Sequence, residues 1–122
     1  MAKKILIADD EAMVRDLIKF SIEKEGYEVF EAKNGIEALT LAKELMPDLI
    51  ILDIMMPGKG GYQVCSELKA DPETKMITIL FLTSRSGTLS AEAAKESGGD
   101  GFLTKPFRPH ELKMKIKNVL LK

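Results

Sequence analysis

Leu49-Ile50-Ile51-Leu52-Asp53-Ile54-Met55-Met56-Pro57-Gly58 is the stretch on which the fold turns. Its first four residues are all apolar, so a strand built from them has no water-facing side. Such a strand suits a sheet covered by helices on both faces. The run stops at a carboxylate, Asp53, and Pro57-Gly58 then turns the chain. Other strand-like runs follow the same plan. Ile5-Leu6-Ile7-Ala8 stops at Asp9-Asp10, Ile77 to Leu82 stops at Thr83-Ser84, and Gly101 to Thr104 stops at Lys105-Pro106. Tyr27 to Ala32 differs: Glu28 and Glu31 stand beside Val29 and Phe30, which suits a less covered strand.

Helical patterns fill the intervals. Ala12 to Glu25 ends at Gly26, a natural helix terminator. Ile36 to Leu45 follows the turn Asn34-Gly35 and stops before Pro47, and Gly61 to Ala70 stops at Asp71-Pro72. Ser90 to Ser97 ends at Gly98-Gly99; it is Ala/Ser-rich and predicted to be short or mobile. Pro109 to Leu121 opens on a proline, which fits a first helical turn. Five strands and five helices in strict alternation predict one α/β domain, a doubly wound (βα)5 unit. Its strands are parallel, its crossovers right-handed, and its helices lie on both faces.

Composition narrows the function. The 122 residues are 45% apolar and 30% charged, the balance of an ordinary globule. Nineteen acids against 18 bases leave no global field to draw nucleic acid or an anionic membrane. Residues 1–61 carry 12 acids and 8 bases, residues 62–122 carry 7 and 10. The bases near the C-terminus read as a solvated helix face that suits the helix dipole. The single cysteine, Cys65, excludes an internal disulfide framework and a four-thiolate metal site, and reads as a small core hydrophobe. No apolar run approaches the roughly 18 residues of a membrane span. With no leader read at the N-terminus, a reducing cytoplasm is the expected compartment.

In an open doubly wound sheet, ligands bind beyond the carboxyl ends of the strands. The residues that end the strands are Asp9 and Asp10, Asp53, Thr83 and Lys105. Each has an ordinary reading: Asp10-Glu11 caps a helix, Asp53 makes a turn, Thr83 ends a strand, Lys105 is a surface lysine. Their coincidence at one edge of the sheet argues for a site. Two carboxylates about 5 Å apart repel by roughly 3 kcal/mol at an effective dielectric of 20. Three acids facing one lysine therefore take up a proton or a cation. Donors that are all oxygen select a hard cation such as Mg2+. With that ion in place a carboxylate can attack phosphorus to give an aspartyl phosphate, while Lys105 and Thr83 meet the phosphoryl oxygens. Nucleotide sites are poorly supported. The chain has no Gly-x4-Gly-Lys-Ser/Thr loop, and Gly58, Gly60 and Gly61 do not match a dinucleotide fingerprint.

With these residues placed, the sequence from about Lys3 to Leu121 resembles the receiver domain of bacterial two-component response regulators, of the stand-alone chemotaxis kind. The motifs are Asp9-Asp10-Glu11, Leu52 to Gly58, Thr83-Ser84 and Lys105-Pro106-Phe107, in that order and spacing. The resemblance implies a flavodoxin-like sheet of order 2-1-3-4-5, with residues 1–122 forming one receiver domain and no output domain. It implies that Asp53 is the phosphoacceptor and Asp10 a direct Mg2+ ligand. Asp9 is then a second acid acting largely through water, and the Met55 backbone carbonyl a further ligand. Thr83 and Lys105 read the phosphoryl group, and Lys105-Pro106 is a cis bond. Thr83 and Phe102 form the switch, and Phe102 lacks the hydroxyl of the commoner tyrosine. Met55 and Arg85 hold the positions that tune dephosphorylation. Val14, Leu17, Pro106 and Phe107 are the expected docking patch for a sensor histidine kinase or a histidine phosphotransfer protein. His110 is expected to be idle, so the donor histidine comes from that partner. The output is an unnamed protein target, with no nucleic acid or membrane involved. A monomer is expected, with dimerisation on phosphorylation left open.

The sequence also departs from the family pattern. Gly60 stands where an Asp usually caps the third helix, and Gly99 and Gly101 replace Ala and Asp, which predicts a looser loop. Two other function classes fit the sequence less well. A phosphatase with an Asp nucleophile needs a second Asp where Met55 stands, and a cap for its substrate. A docking module needs a lost active-site group, and none is lost.

Overall fold

The three central strands of the sheet are apolar on both sides because both sides are covered, while the two edge strands are partly exposed. A computed structural model of the chain describes residues 2–84 and 98–121. The elements run β1 (Lys4–Ala8), α1 (Ala12–Glu23), β2 (Glu28–Ala32), α2 (Gly35–Leu45), β3 (Leu49–Asp53), α3 (Gly61–Ala70), β4 (Thr78–Ser84), β5 (Gly101–Lys105) and α4 (Pro109–Leu120). The helix predicted from Ser90 to Ser97 lies outside the described residues, as does Arg85. The five strands are parallel and ordered β2-β1-β3-β4-β5, as expected.

Strand alternation divides the core in two. Leu6, Ala8, Ile50, Leu52, Ile79 and Phe81 face α2 and α3, meeting Ala38, Ala42, Val64, Cys65 and Leu68. Their neighbours Ile5, Ile7, Leu49, Ile51, Leu80 and Leu82 face α1 and α4, meeting Ile18, Ile22, Leu112, Ile116 and Val119. The two helix pairs lie on opposite faces because the chain reverses direction across the sheet between β1 and β3. With crossovers of one hand, that reversal puts α2 and α3 on the face opposite α1, while α4, which follows the last strand, packs beside α1. It also opens a crevice between the ends of β1 and β3. β2, at the sheet edge, is partly exposed along its length, which accounts for its charged residues.

Helix starts differ in how their amides are satisfied. Asn34 caps α2, accepting from the Glu37 amide at 2.8 Å, while Glu37 reaches back to the Lys33 amide at 3.0 Å. α3 has no side-chain cap, because Gly60 has no side chain to offer. Gly61 is needed for packing: a Cβ there would lie 2.5 Å from the Asp53 carbonyl oxygen and 2.9 Å from the Ile54 Cα. The close approach seats α3 against the end of β3, with the Gly61 amide donating to the Ile54 carbonyl at 2.9 Å. At Gly99 the space a Cβ would take is filled by the edge of the Phe81 ring.

Candidate functional site

The carboxyl edge of the sheet gathers residues from four segments. Asp53 is the last residue of β3, Lys105 the last of β5, and Asp9 and Asp10 follow β1 directly. β4 extends two residues past its apolar run, so Thr83 lies within the strand, paired in register with Thr104. Thr83 is buried.

Asp9 is fully buried, and both its oxygens are engaged. Oδ1 accepts the Glu11 amide at 2.9 Å, and Oδ2 accepts Lys105 Nζ at 2.9 Å. Asp53 is also buried, with Oδ1 taking the Met55 amide at 3.3 Å and Oδ2 lying 3.5 Å from Lys105 Nζ. Asp10 is exposed, and among the described residues nothing bonds to its carboxylate. The three acids each place an oxygen within 4.8 Å of the others. At that spacing each ionised pair repels by about 3 kcal/mol. Lys105 touches two of the three and neutralises one charge.

The imbalance appears in the protonation of the nucleophile candidate. Burial pushes the Asp53 carboxyl up to about 6 from 3.8, and the Asp9 charge adds to the rise. Lys105 and the Met55 amide pull the other way and do not overcome it. Burial opposes the charge on Lys105, yet the Asp9 hydrogen bond and the charges of Asp53, Asp9 and Glu11 raise it above the ordinary lysine range. The edge is thus a cationic lysine under an excess of carboxylate. An all-oxygen donor set, closely spaced and with one acid open to solvent, fits a hard divalent cation.

The peripheral residues fall in two zones. Met55 is 74% exposed beside Asp53. The Lys105-Pro106 bond is cis, as expected. Phe102 is 39% exposed, with Lys115 Nζ lying 5.8 Å from its ring centre. That cation–π contact, of which the sequence carries no sign, sets a charge of α4 over the exposed ring of β5. On α1, Val14 is half-buried against the core, while Leu17 is exposed together with Met13 and Phe20. Phe107 packs partly against the same core half, and Pro106 is exposed.

Sequence reasoning overlooked Arg15 and Glu31. Arg15 Nη1 donates to the Asp9 carbonyl at 2.7 Å and its Nε to Glu31 at 3.1 Å. One signal pointed to it: helical side chains lean toward the N-terminus, so a residue early in α1 reaches back over the preceding loop.

The response regulator receiver domain family matches residues 5–117. Solved structures of similar proteins carry the same fold. A protein assigned as a response regulator from Chloroflexus aurantiacus J-10-fl is 35% identical, with a TM-score of 0.94 and full coverage of both chains. The chemotaxis response regulator CheY4 of Vibrio cholerae is 31% identical, with a TM-score of 0.91, over 98% of this chain and 99% of its own. The signal receiver domain of a signal transduction histidine kinase from Syntrophus aciditrophicus is 34% identical, with a TM-score of 0.89, over 98% and 91%.

Proposed function

The chain belongs to the family of response regulator receiver domains, the signalling switches of two-component systems, and on that footing we propose that Asp53 accepts a phosphoryl group from a partner phosphohistidine, with Mg2+ bound. The observation that carries the reading is the buried Asp53 carboxylate, under Lys105 and within 4.8 Å of two further acids. Asp10, Asp53 and the Met55 carbonyl would hold the ion. Asp9, fully buried and held by the Glu11 amide and Lys105, would act through water. When bound, the ion screens the acids from the incoming anion and offsets charge on the transferring oxygens.

An Asp53 carboxylate oxygen attacks phosphorus, and the P–N bond of the donor breaks. The electron pair of that bond goes to the imidazole nitrogen of the partner, which leaves as neutral imidazole because its other ring nitrogen already carries a proton. Lys105 turns from Asp53 to a phosphoryl oxygen, and Thr83 donates its hydroxyl to another. Thr83 and Phe102 then shift together and change the surface near β5 and α4. Met55 and Arg85, at the positions that tune dephosphorylation in the family, set the lifetime of the product.

The protein is a switch, not an enzyme of turnover. Its phosphodonor is a sensor histidine kinase or a histidine phosphotransfer protein, docked on Val14, Leu17, Pro106 and Phe107. It signals through contact with a protein target in the cytoplasm, from a resting monomer. Among the described residues no helix is long and apolar enough to cross a membrane.

Acetyl phosphate with Mg2+, followed by intact mass, tests the reading. The expected result is one added phosphoryl group, absent in Asp53→Asn and absent in EDTA. Hydrolysis of the donor without accumulation on the protein favours a phosphatase. A folded protein that takes no label overturns the proposal.

A further inference from the structure

The two acids after β1 are held very differently. Asp9 is fixed on every side. Its amide donates to the Ala32 carbonyl at 3.2 Å, and its carboxylate is shared between the Glu11 amide and Lys105. The exposed Asp10 carboxylate has no bonding partner among the described residues, so the backbone, which sets its Cα–Cβ direction, is what orients it toward the site. The peptide plane joining the two acids carries the Asp9 carbonyl oxygen, and Arg15 Nη1 holds that oxygen at 2.7 Å.

Arg15 is itself anchored. Its side chain is only 11% exposed, and its Nε donates to Glu31 at 3.1 Å. Glu31 sits on β2 opposite Ile7, two residues before Asp9. Glu11 offers α1 no side-chain cap, so the usual device for fixing a loop to a helix start is missing here. A planar guanidinium with several donors can bridge a carbonyl and a carboxylate at once, which an ammonium on a flexible stem does poorly.

We infer that Arg15 is a positioning residue of the acidic turn: by holding the Asp9–Asp10 peptide against β2, it aims the Asp10 carboxylate at the cation. The role rests on the reading of the three acids as a Mg2+ site.

Charge and geometry predict opposite outcomes. Arg15 is a cation near the ion, so by charge alone Arg15→Ala tightens Mg2+ binding and Arg15→Lys leaves it unchanged. By positioning, both variants weaken it, by about tenfold, the usual effect of losing a group that orients a metal ligand. Calorimetric Mg2+ titration of the wild-type chain and both variants, with far-UV circular dichroism to confirm folding, separates the two. Weaker binding in folded Arg15→Ala and Arg15→Lys supports the role. Unchanged or tighter binding in Arg15→Ala overturns it while leaving the metal site standing. If Arg15→Ala does not fold, Arg15→Lys decides alone: weaker binding supports, wild-type affinity overturns. A wild-type chain that ignores Mg2+ removes the metal site and this role with it.

Discussion

A buried carboxyl held near 6 is a poor resting state for an acid and a useful one for a nucleophile awaiting a cation. Burial is the main cause for Asp53, with the Asp9 charge second. Its folded pKa lies above its unfolded value, so the native state binds the proton more tightly than the unfolded chain does. Stability therefore rises as pH falls from 7 toward 4, and the cost of the ionised form is fully present above about 6. The gap between 3.8 and about 6 corresponds to at most about 3 kcal/mol. Urea denaturation in EDTA at pH 5 and pH 7.5 should show this component in the wild-type chain and not in Asp53→Asn, which should also be the more stable protein at pH 7.5. Equal pH slopes for the two chains would show that Asp53 is not strained. The participants themselves were legible in the sequence, because each ends an apolar run with a polar group. Their degree of burial was not, since Asp9 and Asp10 are adjacent and chemically alike, yet one is sealed and the other open.

At the scale of elements, periodicity located each described helix and strand, and the differences fall at the ends. β4 keeps its extended form through Thr83 and Ser84 because β5 continues to pair with it there, a non-local cause that hydropathy does not carry. α2 ends on Met46, held in the left-handed region at φ 48, where its amide still bonds the Ala42 carbonyl at 3.0 Å. A side chain other than glycine costs about 1 kcal/mol in that conformation. Met46 is 47% exposed, so little packing is lost on removing it. Met46→Gly should raise stability by about 1 kcal/mol, read as a higher melting temperature. A lower melting temperature would mean that the half-exposed Met46 side chain contributes more than the strain removes. The apolar breadth of α1 was also visible in the sequence. Which of its residues reach solvent depended on how α1 lies on the sheet: Val14 turns inward, and Met13, Leu17 and Phe20 turn out.

At the scale of the whole molecule, the acids couple metal binding to folding. Their oxygens come together only in the native state, so an ion that binds them stabilises that state, by about 2.7 kcal/mol when present at a hundredfold its dissociation constant. Thermal melts should therefore rise with Mg2+. Asp10→Asn should melt higher than the wild-type chain in EDTA, because a repelling charge is gone, and should respond less to Mg2+. A response to Mg2+ as large as that of the wild-type chain would place the ion elsewhere. The sequence alone determined that strands apolar on both sides must be buried between helices, and that their ends carry acids, a hydroxyl and a lysine. Those are local properties: period, hydropathy and the residue at which a run stops. Only the tertiary structure decided that Asp9 meets Lys105 across 96 residues of chain, that Arg15 and Glu31 hold the turn, and that Lys115 faces Phe102. Those contacts depend on strand order and on the orientation of helices over the sheet, which no short window of residues contains.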